Sequence, residues 1–362
     1  MLREQLQRDA IQRDVEFVGR FISSLQRPGM SPMVKSVASF CLFPFMSLFV
    51  YESEAKLNQL APQVAGLMSA SAKDVVARSR HSLKLFDDTH RGLPGQLAYF
   101  RNEIEPASRE RFLQPISWPW ATDLGIYSYQ DSPISTTHVV TFVLGYEPRK
   151  LLTRTASAEI HSLAEEYGRY LAYLGVNLDP HAASFASGIE ATRLTHQDFR
   201  SRRYYKTIFN GADTPDVNAL LTVFRVMINF GAQVLPLDTS QESWQTTLKI
   251  RFVTLYHVLT SLDTLRGSKR IDIARAAAGK LDTILDTADS RFLTSAAIRP
   301  LRNTLMHYGI DPRIPTGALS LHAPLYGLVP ACLPGHSHAT IEGAVGRQIE
   351  LTAAALNDWA SA

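Results

Sequence analysis

Within the stretch Arg299-Pro-Leu-Arg-Asn-Thr-Leu-Met-His-Tyr308, a guanidinium (Arg302), an amide (Asn303) and an imidazole (His307) lie close together in the chain. Histidine titrates near neutral pH, so it can take or give a proton during a reaction. Arginine stays protonated, and its planar fork matches phosphate oxygens and steadies charge that develops on them. The pair therefore suits cleavage of a phosphodiester by a neighbouring hydroxyl, chemistry that needs no metal. Asn303, one helical turn before His307, is placed to orient the imidazole or to hold a phosphate oxygen.

Positioning these groups requires a helix. At about 100° per residue, Ile298, Leu301, Leu305 and Tyr308 form one apolar stripe, and Asn303 and His307 point away from it. Pro300 is tolerated only in the first turn, and Gly309-Ile-Asp-Pro312 ends the helix. Two apolar helices are expected before it. One spans residues 217–235 and is stopped by Pro236; the other carries Trp244, Leu248, Phe252, Leu255, Leu259 and Leu262 as a regular stripe, with His257 packed among apolar neighbours. A further helical stretch is expected from residue 271 to about 286, and a last helix over 340–359. From Pro312 to His338 the chain carries five prolines and three histidines. It is too broken for a helix, and a loop of this kind beside the motif is suited to covering a cleft. The pair His336 and His338 lacks a third ligand, so a plain loop is expected there and no metal site.

The order Arg302-Asn303-x-x-x-His307 resembles the Arg-x4-His signature of HEPN domains, the higher eukaryotes and prokaryotes nucleotide-binding family, including its frequent polar residue directly after the arginine. The resemblance covers roughly the last 150 residues. It implies a helical bundle over 211–362 and a metal-independent endoribonuclease without cofactors. It also implies a homodimer whose cleft forms where two motif helices meet, and a toxin or effector role in defence against phage. Arg302 and His307 would be the catalytic pair, with Asn303 in the supporting polar position. Family members silenced by nucleotidylation carry a tyrosine two places after the histidine; here Tyr308 follows directly and Gly309 occupies that place. The alternative is a catalytically silent HEPN-like module that binds nucleotide, nucleic acid or a partner protein.

With 362 residues, 45% hydrophobic and 20% charged, the chain is globular and long enough for more than one core. A net charge of +3 gives no global field for nucleic acid, so any such contact needs a local patch. Cys41 and Cys332 lack metal-ligand spacing, and a reducing, cytoplasmic setting is expected. The apolar run 36–51 is shorter than a membrane span and contains Pro44, so it reads as buried core rather than a membrane contact. Phosphate-binding glycine loops and nucleophile elbows are absent from the sequence.

The first 210 residues read as a mostly helical recognition or regulatory region of unknown fold. Residues 2–25 show helical spacing, with Leu6, Ile11, Val15, Val18 and Ile22 inward. The segment 27–32 breaks the pattern. A polar helix is expected over 52–80, with Leu57, Leu60, Val64 and Leu67 inward. Prolines interrupt residues 87–148, where loops and short elements should dominate, and residues 136–145 are the one good strand candidate. Trp118 and Trp120 are read as local packing. Helices are expected over 151–174 and 184–209. The second ends in Arg200-Ser-Arg-Arg-Tyr-Tyr-Lys206, where Arg200, Arg202, Arg203 and Lys206 have the chemistry of an RNA contact, or simply that of a solvated helix end. The turn at 210–215 is the expected boundary between the two parts.

Overall fold

Apolar residues at helical spacing build α1 (Leu2–Leu25), as expected, with Leu6, Ile11, Val15 and Val18 buried. Phe17 and Phe21 on its inner face stack on Phe185, with ring centroids 6.3 and 5.3 Å apart. The computed structural model describes residues 1–60, 67–87, 91–113, 120–153, 156–211, 214–269, 271 and 275–361. The chain is mainly helical, with one three-stranded antiparallel sheet.

After the break at 27–31, α2 (Pro32–Leu60) runs without interruption past Glu52, although a separate helix was expected to begin there. The polar residues Glu52, Ser53 and Glu54 are buried and meet Arg80, Tyr170 and Lys73 of other elements, so the change from apolar to polar composition marks a new set of partners and not a new helix. The segment expected to continue to Arg80 is instead a second helix, α3 (Ala70–Ser82), started by Ser69, whose hydroxyl accepts from the Ala72 amide at 3.1 Å. Leu57 is buried as expected; Val64 lies outside the described residues.

Short elements follow, as the prolines require: α4 (Gly92–Tyr99), a π turn over Phe100–Ile104, and α5 (Glu105–Phe112). Strands β1 (Leu124–Tyr129) and β2 (Ser132–Thr136) pair through a two-residue turn in which Gln130 and Asp131 both have positive φ, the geometry that matches strand twist. The expected strand over 136–145 is in fact helix α6 (Thr137–Val143). The Thr136 hydroxyl accepts from the Val139 amide at 3.0 Å and starts a helix, and burial of Val139, Phe142 and Val143 overrides their strand preference.

The helix expected over 151–174 is present as α8 (Ala156–Tyr173), preceded by a single turn, α7 (Pro148–Leu151). The helix expected over 184–209 is replaced by α9 (Phe185–Gly188), strand β3 (Leu194–Phe199) and α10 (Ser201–Thr207). β3 pairs with β1 along its full length, from Leu124↔Phe199 to Tyr129↔Leu194, giving the strand order β2-β1-β3. As an edge strand exposing four consecutive polar side chains, it shows no alternation for a sequence reading to detect.

The second half follows the expected order. Pro215 opens α11 (Pro215–Asn229), which continues through a π turn and a 3₁₀ turn to Leu237. Then come α12 (Trp244–Arg266), α13 (Arg275–Leu285), α14 (Ala288–Thr294), α15 (Arg299–His307), α16 (Leu328–Cys332) and α17 (His338–Ser361). Pro32–Leu60 and Pro215–Leu237 are long and apolar enough to cross a membrane, but 56% and 72% of their apolar windows are buried inside the fold.

One apolar core includes side chains from both sides of residue 210. Polar links cross it as well. The Asn229 amide donates to the carbonyl of Pro133 in β2 at 2.8 Å and exchanges hydrogen bonds with Asn357 of α17 at 3.0 and 2.9 Å.

Candidate active site

Helix α15 has Pro300 in its first turn and ends at Tyr308, which takes the left-handed conformation (φ 52°). Of the expected apolar stripe, Ile298, Leu301 and Tyr308 are buried and Leu305 is partly so. On the outward ridge Arg299 and Asn303 are exposed and His307 is half-buried, each one turn after the last.

The structure supplies His307 with a partner that sequence spacing did not reveal. Its Nδ1 lies 2.7 Å from Oε2 of Glu52, on α2. An ionised carboxylate can only accept, so Nδ1–H donates, and Nε2 makes no hydrogen bond among the described residues. The other carboxylate oxygen, Oε1, receives Nε of Arg80, on α3, at 2.7 Å. The Glu52 and Arg80 side chains are 7% and 3% exposed, whereas that of His307 is 42% exposed. Burial alone would raise the Glu52 carboxyl, but the His307 hydrogen bond and the Arg80 charge outweigh it and hold the group below its ordinary value. Three elements thus build a buried cation, a buried anion and an accessible imidazole in series. The imidazole is oriented by Glu52; no hydrogen bond joins it to Asn303 among the described residues, which leaves that amide facing solvent.

Arg302 leaves α15 on another side. It stands five positions before His307, about 140° around the axis, and no hydrogen bond joins the two. Its guanidinium lies over the Tyr256 ring of α12, 4.6 Å from the centroid, and donates to the Tyr256 hydroxyl at 3.3 Å. Nη1 lies 3.8 Å from the Met306 sulfur. Among the described residues Arg302 has no carboxylate partner, and its Nε is buried without a hydrogen bond. The cation is held in place while its charge stays uncompensated.

Behind the motif, Tyr308 donates its hydroxyl to Asp14 of α1, which also receives Lys249 Nζ at 2.6 Å and the Thr246 hydroxyl at 2.8 Å. Burial raises the Tyr308 phenol well above its ordinary value, and the Asp14 charge adds to that, so it remains a donor. Lys249 Nζ sits 4.1 Å from the Tyr308 ring centroid and 4.8 Å from that of Phe49. These contacts hold Tyr308 in a backbone conformation uncommon for an aromatic residue, and thereby set the direction of the neighbouring imidazole. A narrow crevice lined by Asp14, Thr246, Lys249, Thr304 and Tyr308 opens here, with Tyr326 at its rim. The stretch after Gly309 is tied to α1. Arg3 donates to the carbonyls of Ile310, Asp311 and Pro312 at 3.3, 3.0 and 3.1 Å, and Tyr326 donates to Asp9 at 2.7 Å.

The remaining expectations divide. His257 is buried. His336 stacks on Phe292 and His338 packs against Trp244, so the two rings serve different aromatic contacts. Trp118 lies outside the described residues, and Trp120 corrects the packing expectation: it is 88% exposed. Arg202, Arg203 and Lys206 are exposed on α10, while Arg200 donates from Nε to the carbonyl of Ala121 at 3.3 Å. Glu52 and Arg80 escaped sequence reading because they are 255 and 227 residues from His307, and only their unusual burial marks them. Comparison of the chain with protein-family models, with curated proteins and with solved structures finds no match.

Proposed function

We propose that this protein is a metal-independent endoribonuclease of HEPN type, acting as a homodimeric cytoplasmic toxin or anti-phage effector. Its likeness to the family rests on Arg302, Asn303 and His307. The observation that carries the reading is the Arg80–Glu52–His307 series. A buried carboxylate fixes the tautomer and direction of an accessible imidazole, as a general base requires. In the reaction the RNA 2′-hydroxyl gives its proton to His307 Nε2 and its oxygen bonds to phosphorus. The bond from phosphorus to the 5′ oxygen breaks, and the leaving oxygen takes a proton from water. The products are a 2′,3′-cyclic phosphate and a 5′-hydroxyl. Arg302, with its uncompensated charge, steadies the phosphorane, and Asn303 holds a phosphate oxygen. Because Arg302 and His307 diverge within one chain, the cleft needs a second copy to bring a guanidinium of one subunit toward an imidazole of the other.

Purified protein incubated with single-stranded RNA in EDTA is expected to cleave it, and His307→Ala to reduce the rate at least about 100-fold. Equal cleavage by both proteins would sink the assignment. The same divergence favours a second reading, a silent HEPN-like module that binds RNA without cutting it. Under that reading expression of the protein slows growth no more than expression of His307→Ala.

A further inference from the structure

Several exposed arginines face a carboxylate: Arg101 pairs with Asp216, Arg149 with Glu110, Arg266 with Asp286 and Arg347 with Asp289. Helix α10 departs from this. Arg202, Arg203 and Lys206, at positions i, i+1 and i+4, fall within about 100° of arc on one side of it, all exposed, and their side chains form no ion pair or hydrogen bond among the described residues. The acidic groups nearby are already engaged. Asp123 accepts from the Ser201 amide and hydroxyl at 2.8 and 2.6 Å, Glu105 pairs with Arg109 at 3.3 Å, and Asp198 pairs with His196 at 3.1 Å.

The chain brings Trp120 to the start of the same helix. Arg200 donates to the carbonyl of Ala121, and Asp123 accepts from the Ser201 amide, so residues 121–123 are pinned across its first turn and Trp120 directly precedes them. An indole 88% exposed is an unusual use of apolar area, since burial of such a ring is strongly favoured. Along the adjoining sheet edge, His196 stacks on Tyr127 at a centroid distance of 4.6 Å.

We infer that this face binds single-stranded RNA, with Arg202, Arg203 and Lys206 following the phosphates and Trp120 stacking on an unpaired base. A projecting indole needs a base whose face is free, and a duplex hides those faces. The choice of RNA over DNA rests on the ribonuclease reading above; the surface itself does not.

The test uses the full chain and a fluorescein-labelled 2′-O-methyl RNA 12-mer, which has no free 2′-hydroxyl and so reports binding apart from cleavage. Anisotropy across a salt series is expected to show Trp120→Ala binding about 5- to 150-fold more weakly, the range that loss of one stacked base gives. Replacing Arg202, Arg203 and Lys206 by alanine should lower the slope of log affinity against log salt by about 2. All four side chains are exposed, so the melting temperatures of the variants should match the parent. Unchanged affinity in both variants overturns the proposal, as does an acidic peptide that binds equally well and loses affinity in the same variants. Equal binding of the matching DNA strand overturns the choice of RNA. If the 12-mer binds as expected while unmodified RNA stays intact, the ribonuclease reading alone fails.

Discussion

His307 gains its meaning from what touches it. An imidazole on an outward ridge is ordinary; one whose Nδ1 is held by a carboxylate 7% exposed is not. Glu52 is ionised because His307 and Arg80 outweigh its burial, so its folded-state carboxyl titrates below the unfolded one. A group shifted in this direction stabilises the protein above the unfolded value, about 4.3, and that stability is lost as pH falls through the folded value. The wild-type melting temperature is therefore expected to drop on acidification below about pH 4, and that of Glu52→Gln to drop less across the same window. At neutral pH the same variant leaves Arg80 buried with a neutral partner. It should cost about 3–5 kcal/mol by urea unfolding, and RNA cleavage should fall at least about tenfold. A variant as stable and as active as the parent would show that the carboxylate neither anchors Arg80 nor orients His307.

At the scale of elements, the candidate site depends on how closely α3 approaches its neighbours, because α3 delivers Arg80. The end of α6 meets α3 at Gly145, whose φ is +74°. A Cβ there would lie 2.5 Å from the Val75 carbonyl oxygen and 2.7 Å from the Ser79 amide nitrogen. Both are backbone atoms within a helix, so they can yield only if α3 moves. Gly145→Ala is thus expected to lose about 2 kcal/mol or more in urea unfolding, from left-handed strain together with the overlap, and to weaken any His307-dependent activity by displacing Arg80. Stability within about 0.5 kcal/mol of the parent would mean that the two helices are not locked at this point. Local signals were legible where a helix carries its own apolar stripe, as in α1, α12 and α17. They failed at 136–145 and 184–209, where a threonine cap and a strand partner some 70 residues away decided the outcome.

For the whole molecule, the boundary expected near residue 210 runs through the site. Asp14 and Glu52 lie before it; Lys249, His307 and Tyr308 lie after it. A fragment of residues 211–362 would expose the apolar face of α12 and strip Lys249, itself 5% exposed in the full chain, of its counter-charge. The full chain is expected to unfold in one cooperative transition followed by circular dichroism, and the fragment to show none. A sharp transition in the fragment would establish two independent folding units. By itself the sequence determined the helical class, the long apolar helices of the second half, the outward placement of Asn303 and His307, and the basic cluster at 200–206. Each of these follows from periodicity or composition within a few turns of chain. Only the tertiary structure decided that Glu52 and Arg80 stand behind the imidazole, that Arg302 turns toward Tyr256, and that Trp120 projects into solvent beside α10. Those outcomes depend on which distant helix packs where, and that is set by burial of the shared core, which has no local spacing to read.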